Sequence, residues 1–242
     1  MQGGRDMSPW LRLGCVLALC LSAFPSWAED GTRDPFEPFN RRAFALNNAL
    51  DRHLIRPAAV IYQDLVPDPV AHAIYRFFDN LAEPVSITGA LLQGSPERTL
   101  TATGRFVVNS TLGLAGFFDP ATSLGFVDVD EDIGQALDTW GLDNTPYLVL
   151  PFWGPGTLTT LPDRVLVWWL PPQLLGPYWY TPLRVVDTVS FRASVLGATN
   201  LLEGEALDPY TFARDSYLQR RRQLRYNGAP PPEALDALLD DF

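Results

Sequence analysis

Lysine is missing from this chain: all 18 basic residues are arginine, against 28 acidic residues and a formal net charge of −10. That balance excludes nucleic acid as a partner, because such binding rests on cations that neutralise phosphates. Cysteine is almost missing as well. The only two, Cys15 and Cys20, lie in the first 28 residues. A chain cleaved after Ala28 therefore has no disulfide and no thiolate metal site. Histidine is limited to His53 and His72, each on an expected helix and read as structural. There is no G-x-S-x-G, no H-E-x-x-H and no phosphate-binding glycine loop, so no catalytic constellation is visible and no cofactor is expected. Runs of short alternating strands are also lacking. Leu148–Leu150 and Val165–Val167 are too brief to argue a sheet.

What is present is a long uncharged stretch. Residues Val165 to Leu183 read VLVWWLPPQLLGPYWYTPL. The length suits a membrane helix of about 20 residues, but Pro171, Pro172, Pro177 and Pro182 interrupt it. Each proline lacks a backbone donor and crowds the preceding turn. A broken backbone cannot face lipid with its polar groups unsatisfied. The stretch is either buried core or a segment at membrane depth with protein around it. Trp153, Trp168, Trp169 and Trp179 sit in or near it, and tryptophan favours the membrane–water interface. A membrane-embedded, non-spanning protein follows as the leading expectation.

The N-terminus reads as an export signal. Arg5 and Arg12 flank or enter the apolar run Leu13 to Phe24, and Ser26-Trp27-Ala28 offers small residues for cleavage. Residues 1–28 are expected to be a signal peptide, 29–227 one helical domain, and 228–242 an acidic tail, mobile or a short frayed helix. Neither cysteine has good flanks for lipid attachment, since Arg12 precedes Cys15 by three and the bulky Leu19 directly precedes Cys20.

Four Asp-Pro pairs punctuate the rest: Asp34-Pro35, Asp68-Pro69, Asp119-Pro120 and Asp208-Pro209. Asp is a preferred N-cap and Pro a preferred first helical residue. A first helix is expected from Asp34, with Glu37 completing a capping box. Its apolar stripe is Phe36, Phe39, Ala43, Leu46, Leu50 and Leu54, and Pro57 ends it. A second helix from Asp68 carries Val70, Ile74, Phe77 or Phe78, and Leu81, and breaks at Pro84. Further helices are expected over 97–112, 183–202 and from Asp208 to Asn227-Gly228, with one short helix near 133–139. The fold class is all-α with long structured loops.

Several local features admit two readings. Asn40, Asn47 and Asp51 share one face of the first helix, which is either solvent-exposed or a polar wall lining a cavity. Gly113 and Gly116 beside Phe117 and Phe118 suit a tight turn, either a plain connector or the hinge of an apolar loop that dips into lipid. Arg220, Arg221, Arg222 and Arg225 end the last helix. They either complement its dipole or dock an anionic headgroup or acidic partner. The run Asp128 to Asp132 has calcium-loop spacing, but Ile133 stands where glycine is needed and Thr139 where glutamate belongs. A solvated acidic loop is the better reading, and no metal is expected.

Taken in order, DPFEPFNRRAF (34–44), IRPAA and VPDPV (55–70), NLAEPVSITGALLQG (80–94), RFVVNSTLGLAGFFDPA (105–121), YLVLPFWGPGTL (147–158) and DPYTFARDSYLQRR (208–221) resemble the VacJ/MlaA family. The resemblance covers nearly the whole chain beyond the signal peptide. It implies a helical, ring-like domain in the inner leaflet of the outer membrane, on the periplasmic side. It also implies an amphipathic channel that takes phospholipid from the outer leaflet and passes it to a soluble periplasmic lipid carrier, in association with a trimeric porin. The helix bearing Asn40 and Asn47 and the loop after Gly113 would then be channel and gate. The lack of a good lipid-attachment cysteine departs from a family with many lipoproteins. A periplasmic lipid-acting hydrolase and a porin-organising scaffold are the alternatives.

Overall fold

Prolines mark the helix starts. The computed structural model describes residues 34–142, 145–167, 176–202 and 208–229. Helices α1 (Glu37–Leu50), α2 (Arg56–Leu65), α3 (Asp68–Leu92), α4 (Pro96–Thr111), α5 (Pro120–Ser123), α6 (Ile133–Leu137), α7 (Pro177–Leu202) and α8 (Pro209–Arg225) each begin at or beside one, except α6. A proline there loses no helical bond, because the first N–H groups have no intrahelical acceptor. Residues 161–167 are also helical. The expected signal peptide, Trp168, Trp169, Pro171, Pro172 and nearly all of the acidic tail lie outside the described residues.

Three prolines expected to break helices do not. Pro57 follows a π-helical turn, Asp51–Ile55, in which Arg56 N–H donates to the Asp51 carbonyl five residues back. That wider turn moves the clash a proline would make with the carbonyl four residues before it, so α1 runs on into α2. Pro84 sits inside the 25-residue α3, and Pro182 inside α7, which begins six residues before the expected start. Packing of α3 against α4 and α7 outweighs the lost bond.

The caps divide. Asp119 and Asp208 cap their helices, accepting from Thr122 N–H and Tyr210 N–H, each at 3.0 Å. Asp34 does not. It is buried, and its carboxylate accepts from Asn40 and the Tyr210 hydroxyl instead, so α1 starts two residues later than expected. The α8 C-terminus closes as read, on Asn227 and Gly228 at positive φ, with Gly228 N–H bonded to the Gln223 carbonyl.

One antiparallel hairpin was not expected. β1 (Tyr147–Leu150) pairs with β2 (Gly154–Thr157), with Val149 opposite Pro155. Tyr147 and Val149 pack with Ala43 and Tyr210, so the hairpin is held between α1 and α8. A second apolar cluster, Ala59 with Ala193 and Leu196, joins α2 to α7 through side chains small enough for close approach.

Burial runs opposite to that of a water-soluble helical protein. The buried apolar residues are mostly alanines, whereas Asn40, Asn80, Glu83, Arg105, Asn109, Glu131, Gln135 and Asp138 are buried. Apart from Ala43, the apolar stripe of α1 and its continuation stands largely outward: Phe39 is 49% exposed, Leu54 67% and Leu65 76%, against 0% for Asn40. Polar groups satisfied inside and apolar side chains outside is the arrangement favoured where the surroundings are hydrocarbon. Among the described residues no helix is long and apolar enough to cross a membrane. The described part of the fold is predominantly helical.

Candidate functional site

A cavity of about 230 Å³ opens between α3, α7 and the helical residues 161–167. Its apolar wall comes from Phe78, Leu81 and Val85 on α3, Leu166 and Val167, and Leu183 and Phe191 on α7. Tyr180 ties two of these elements together, its hydroxyl donating to the Val167 carbonyl at 3.2 Å. Three charged groups interrupt the wall: Asp79, Arg184 and Asp187. Arg184 Nη1 and Asp187 Oδ2 are 2.5 Å apart. Burial pushes the Asp187 carboxyl up from its ordinary value, and Arg184 opposes the shift. Asp79 is also pushed up, first by burial and then by the charge of Asp128, with Arg105 opposing. The volume is below the roughly 300–1,000 Å³ that engulfs a drug-sized ligand, so the cavity suits part of an amphiphile rather than all of it.

Behind the cavity-lining face, α3 meets α4 through a buried ion pair. Arg105 Nε lies 3.4 Å from Glu83 Oε1, and Arg105 also donates to Thr122 Oγ1 and the Phe126 carbonyl, each at 3.1 Å. Glu83 Oε2 has no partner among the described residues. Burial therefore outweighs the single long contact, and the Glu83 carboxyl is pushed up to about 7. The folded state holds this proton more tightly than the unfolded one. The associated stability is complete below the ordinary carboxylate range and is lost as pH rises through about 7. The size is about 3 kcal/mol. Glu83→Gln should remove this slope: thermal melts should show the variant more stable than the parent at pH 8 and no more stable at pH 4.5.

A sequence model of the family described as MlaA lipoprotein matches residues 32–224. The chain belongs to the MlaA lipoprotein family. It is 32% identical over 250 residues to the intermembrane phospholipid transport system lipoprotein MlaA of Shigella flexneri and, equally, of Escherichia coli K12, covering 96% of this chain and 95% of theirs. The Haemophilus influenzae protein of the same name is 32% identical, with 86% and 85% covered. A solved structure from work on the "structural basis for maintenance of bacterial outer membrane lipid asymmetry" superposes with a TM-score of 0.69 at 32% identity. It covers 79% of this chain and 98% of that one.

Against this MlaA fold, the residues singled out from sequence take definite places. Asn40 and Asn47 lie on the inner face of α1 but turn to β1, not to the cavity. Asn40 donates to the Tyr147 carbonyl at 3.0 Å and accepts from Val149 N–H at 2.8 Å. Two turns on, Asn47 donates to the Leu150 carbonyl at 3.0 Å and accepts from Phe152 N–H at 2.8 Å. Each amide thus pairs with the carbonyl of one residue and the N–H of the residue two further on, as a neighbouring strand would. Pro155 explains why this edge is free: it has no N–H, so Val149 opposite it directs its own N–H away from β2. Asp51 makes a two-pronged ion pair with Arg192 of α7, at 2.8 and 2.9 Å, fixing the π-helical turn.

The loop after α4 is pinned to α3. Leu114, Ala115 and Gly116 all have positive φ, and a Cβ on Gly116 would stand 2.4 Å from Asn80 Cβ. Asn80 donates to Ser110 Oγ at 3.0 Å. Gly113 is equally confined, with Phe118 and Asn109 carbonyl oxygens 2.4 and 2.5 Å from any Cβ. Phe117 stacks on Phe77 at 5.0 Å, next to the cavity residue Phe78, while Phe118 and Leu114 stand exposed. Trp153 stands partly exposed at the hairpin turn beside Phe152. The side chain of Trp179 is outside the described residues.

The arginines separate by role. Arg221 is buried, with Nη2 2.9 Å from Asp138 Oδ2 and Nη1 on Asp132. Arg220 makes an exposed contact of 3.3 Å with Asp130. Arg222 and Arg225 sit in the last turn of α8, where they complement the dipole, and Arg225 lies over the Tyr226 ring. The acidic run is accordingly not a solvated loop throughout. Glu131 is buried on Gln93 and Arg98, and Asp132 caps α6 by accepting from Gln135 N–H at 2.6 Å. Arginine pairing and helix capping hold these carboxylates inside. No group of metal-ligating residues is found among the described residues.

The cavity's own charged residues escaped the sequence reading. Asp79 was passed over within an apolar stripe, and Arg184 and Asp187 lie directly after the uncharged stretch. That abrupt return of charge was the available signal.

Proposed function

We propose that this chain conducts phospholipid at the inner leaflet of the outer membrane, taking it from the outer leaflet and so maintaining lipid asymmetry. The observation that carries this reading is the amphipathic cavity between α3 and α7, in a fold whose apolar side chains face outward. The relatives' names, which specify phospholipid transport, support it. Acyl chains would lie along Phe78, Leu81 and Leu183, with the polar headgroup at Asp79, Arg184 and Asp187. A trimeric porin would seat the protein, and a soluble periplasmic carrier would take the lipid onward. The pinned loop 113–118 would act as gate, and the exposed Arg220 would face a headgroup or acidic partner. We also infer cleavage after Ala28, with anchoring by the apolar surface rather than by Cys15 or Cys20.

The reaction is transfer without bond breaking, so the test is occupancy. Ala82 lines the cavity, and Ala82→Trp fills it. Phospholipid should co-purify with the detergent-extracted parent and fall several-fold for Ala82→Trp. Equal lipid on both would sink the assignment of the cavity.

A further inference from the structure

The charges of the cavity do not balance. Arg184 is already matched by Asp187 at 2.5 Å. Asp79 has no ion-pair partner among the described residues, and of the charges that act on it most strongly, Asp128, Asp130 and Asp119 oppose its ionisation and Arg105 favours it. A ligand entering here meets one neutral pair and one uncompensated carboxylate, within a wall that is otherwise apolar. Asp79 is itself exposed, so water screens the attraction and repulsion it exerts and keeps the preference modest.

Resting on the transport reading above, we infer that Asp79 makes this cavity selective for zwitterionic, amine-bearing phospholipid over anionic phospholipid. A primary ammonium on the headgroup supplies the missing cation at Asp79. The phosphate is drawn to the Arg184–Asp187 pair lining the same cavity, where the guanidinium donates to its oxygens. A glycerol headgroup offers the same phosphate but no cation. It leaves Asp79 uncompensated and adds a net negative charge beside it. One well-placed charge contact supports a preference of roughly tenfold, equivalent to about 1.4 kcal/mol.

The test uses the full-length protein reconstituted into vesicles of equal parts phosphatidylethanolamine and phosphatidylglycerol. The protein is re-extracted and its bound lipid is counted by mass spectrometry. The expected result is ethanolamine lipid enriched several-fold over the vesicle ratio. Asp79→Asn should return the ratio to that of the vesicle with total lipid retained, and Asp79→Glu should keep the enrichment. Phospholipid bound at the vesicle ratio, or enrichment of the glycerol lipid, overturns the selectivity while leaving transport standing. Enrichment unchanged in Asp79→Asn removes Asp79 from the role. Recovery of no phospholipid by the parent overturns both readings.

Discussion

Asn40→Ala should lower the stability of the detergent-solubilised protein by about 3–5 kcal/mol. The side chain is fully buried and every polar atom of its amide is used. One N–H goes to Asp34 Oδ1 at 2.7 Å, the other to the Tyr147 carbonyl, and the oxygen accepts from Val149 N–H. Truncation strands three buried groups, each worth on the order of 1–3 kcal/mol. For a chain of this size that is a fall of about 10 °C in melting temperature. Asn40→Asp separates hydrogen bonding from shape. It is nearly isosteric but cannot donate, and it sets a second carboxylate against Asp34. It should be at least as damaging as alanine. A melt for Asn40→Asp within a degree or two of the parent would contradict the pairing of α1 with β1.

Arg221→Met should cost about as much, by a different route. Arg221 holds Asp132 and Asp138 together, and Asp163 stands beside them, accepting from the N–H groups of Ile133 and Gly134 at 2.7 and 3.0 Å. Burial, with Asp132 adding repulsion, pushes the Asp163 carboxyl up to about 6, and burial raises Asp138 as well. Removing the guanidinium that pairs with both Asp132 and Asp138 leaves uncompensated buried charge, a loss of roughly 3–5 kcal/mol. The sign of its pH dependence follows. The Asp138 and Asp163 carboxyls already bind protons more tightly in the fold than unfolded, and without Arg221 they do so further. Acidification through about pH 6 therefore neutralises Asp163 and restores part of the loss. Melts should show a wide gap between parent and Arg221→Met at pH 8 and a narrower one at pH 5. A gap of under 1 kcal/mol at pH 8 would contradict the account.

Much of this architecture was legible in the sequence because it is written locally. Asp119-Pro120 and Asp208-Pro209 open helices, Asn227-Gly228 closes one, and the helix periods place the start of α3 and the whole of α4 and α8 within a few residues. The failures share a cause. Pro57, Pro84 and Pro182 are tolerated because partners distant in sequence support those helices, and the hairpin's two four-residue strands are too short to carry a period of two. Asn40, Asn47 and Asp51 were placed on one helix face, but their partners lie over 90 residues away, at Tyr147, Leu150 and Arg192. The outward direction of the apolar stripe is not local information either. The same spacing of Phe39, Leu46 and Leu54 describes a helix packed on a core or one facing lipid. The cavity needs residues near 80 and near 185 together, which no single segment shows.

The most direct test of lipid passage through the cavity is surface-exposed phospholipid on intact cells, read with a membrane-impermeant amine or phosphate probe. Three strains are compared: one lacking the gene, one restored with the parent chain, and one restored with Ala82→Trp at equal protein level. The account predicts high surface phospholipid without the gene, low with the parent, and close to the deletion level with Ala82→Trp. If Ala82→Trp restores asymmetry as fully as the parent, lipid does not travel through this cavity. If deletion changes nothing, the chain does not maintain asymmetry at all.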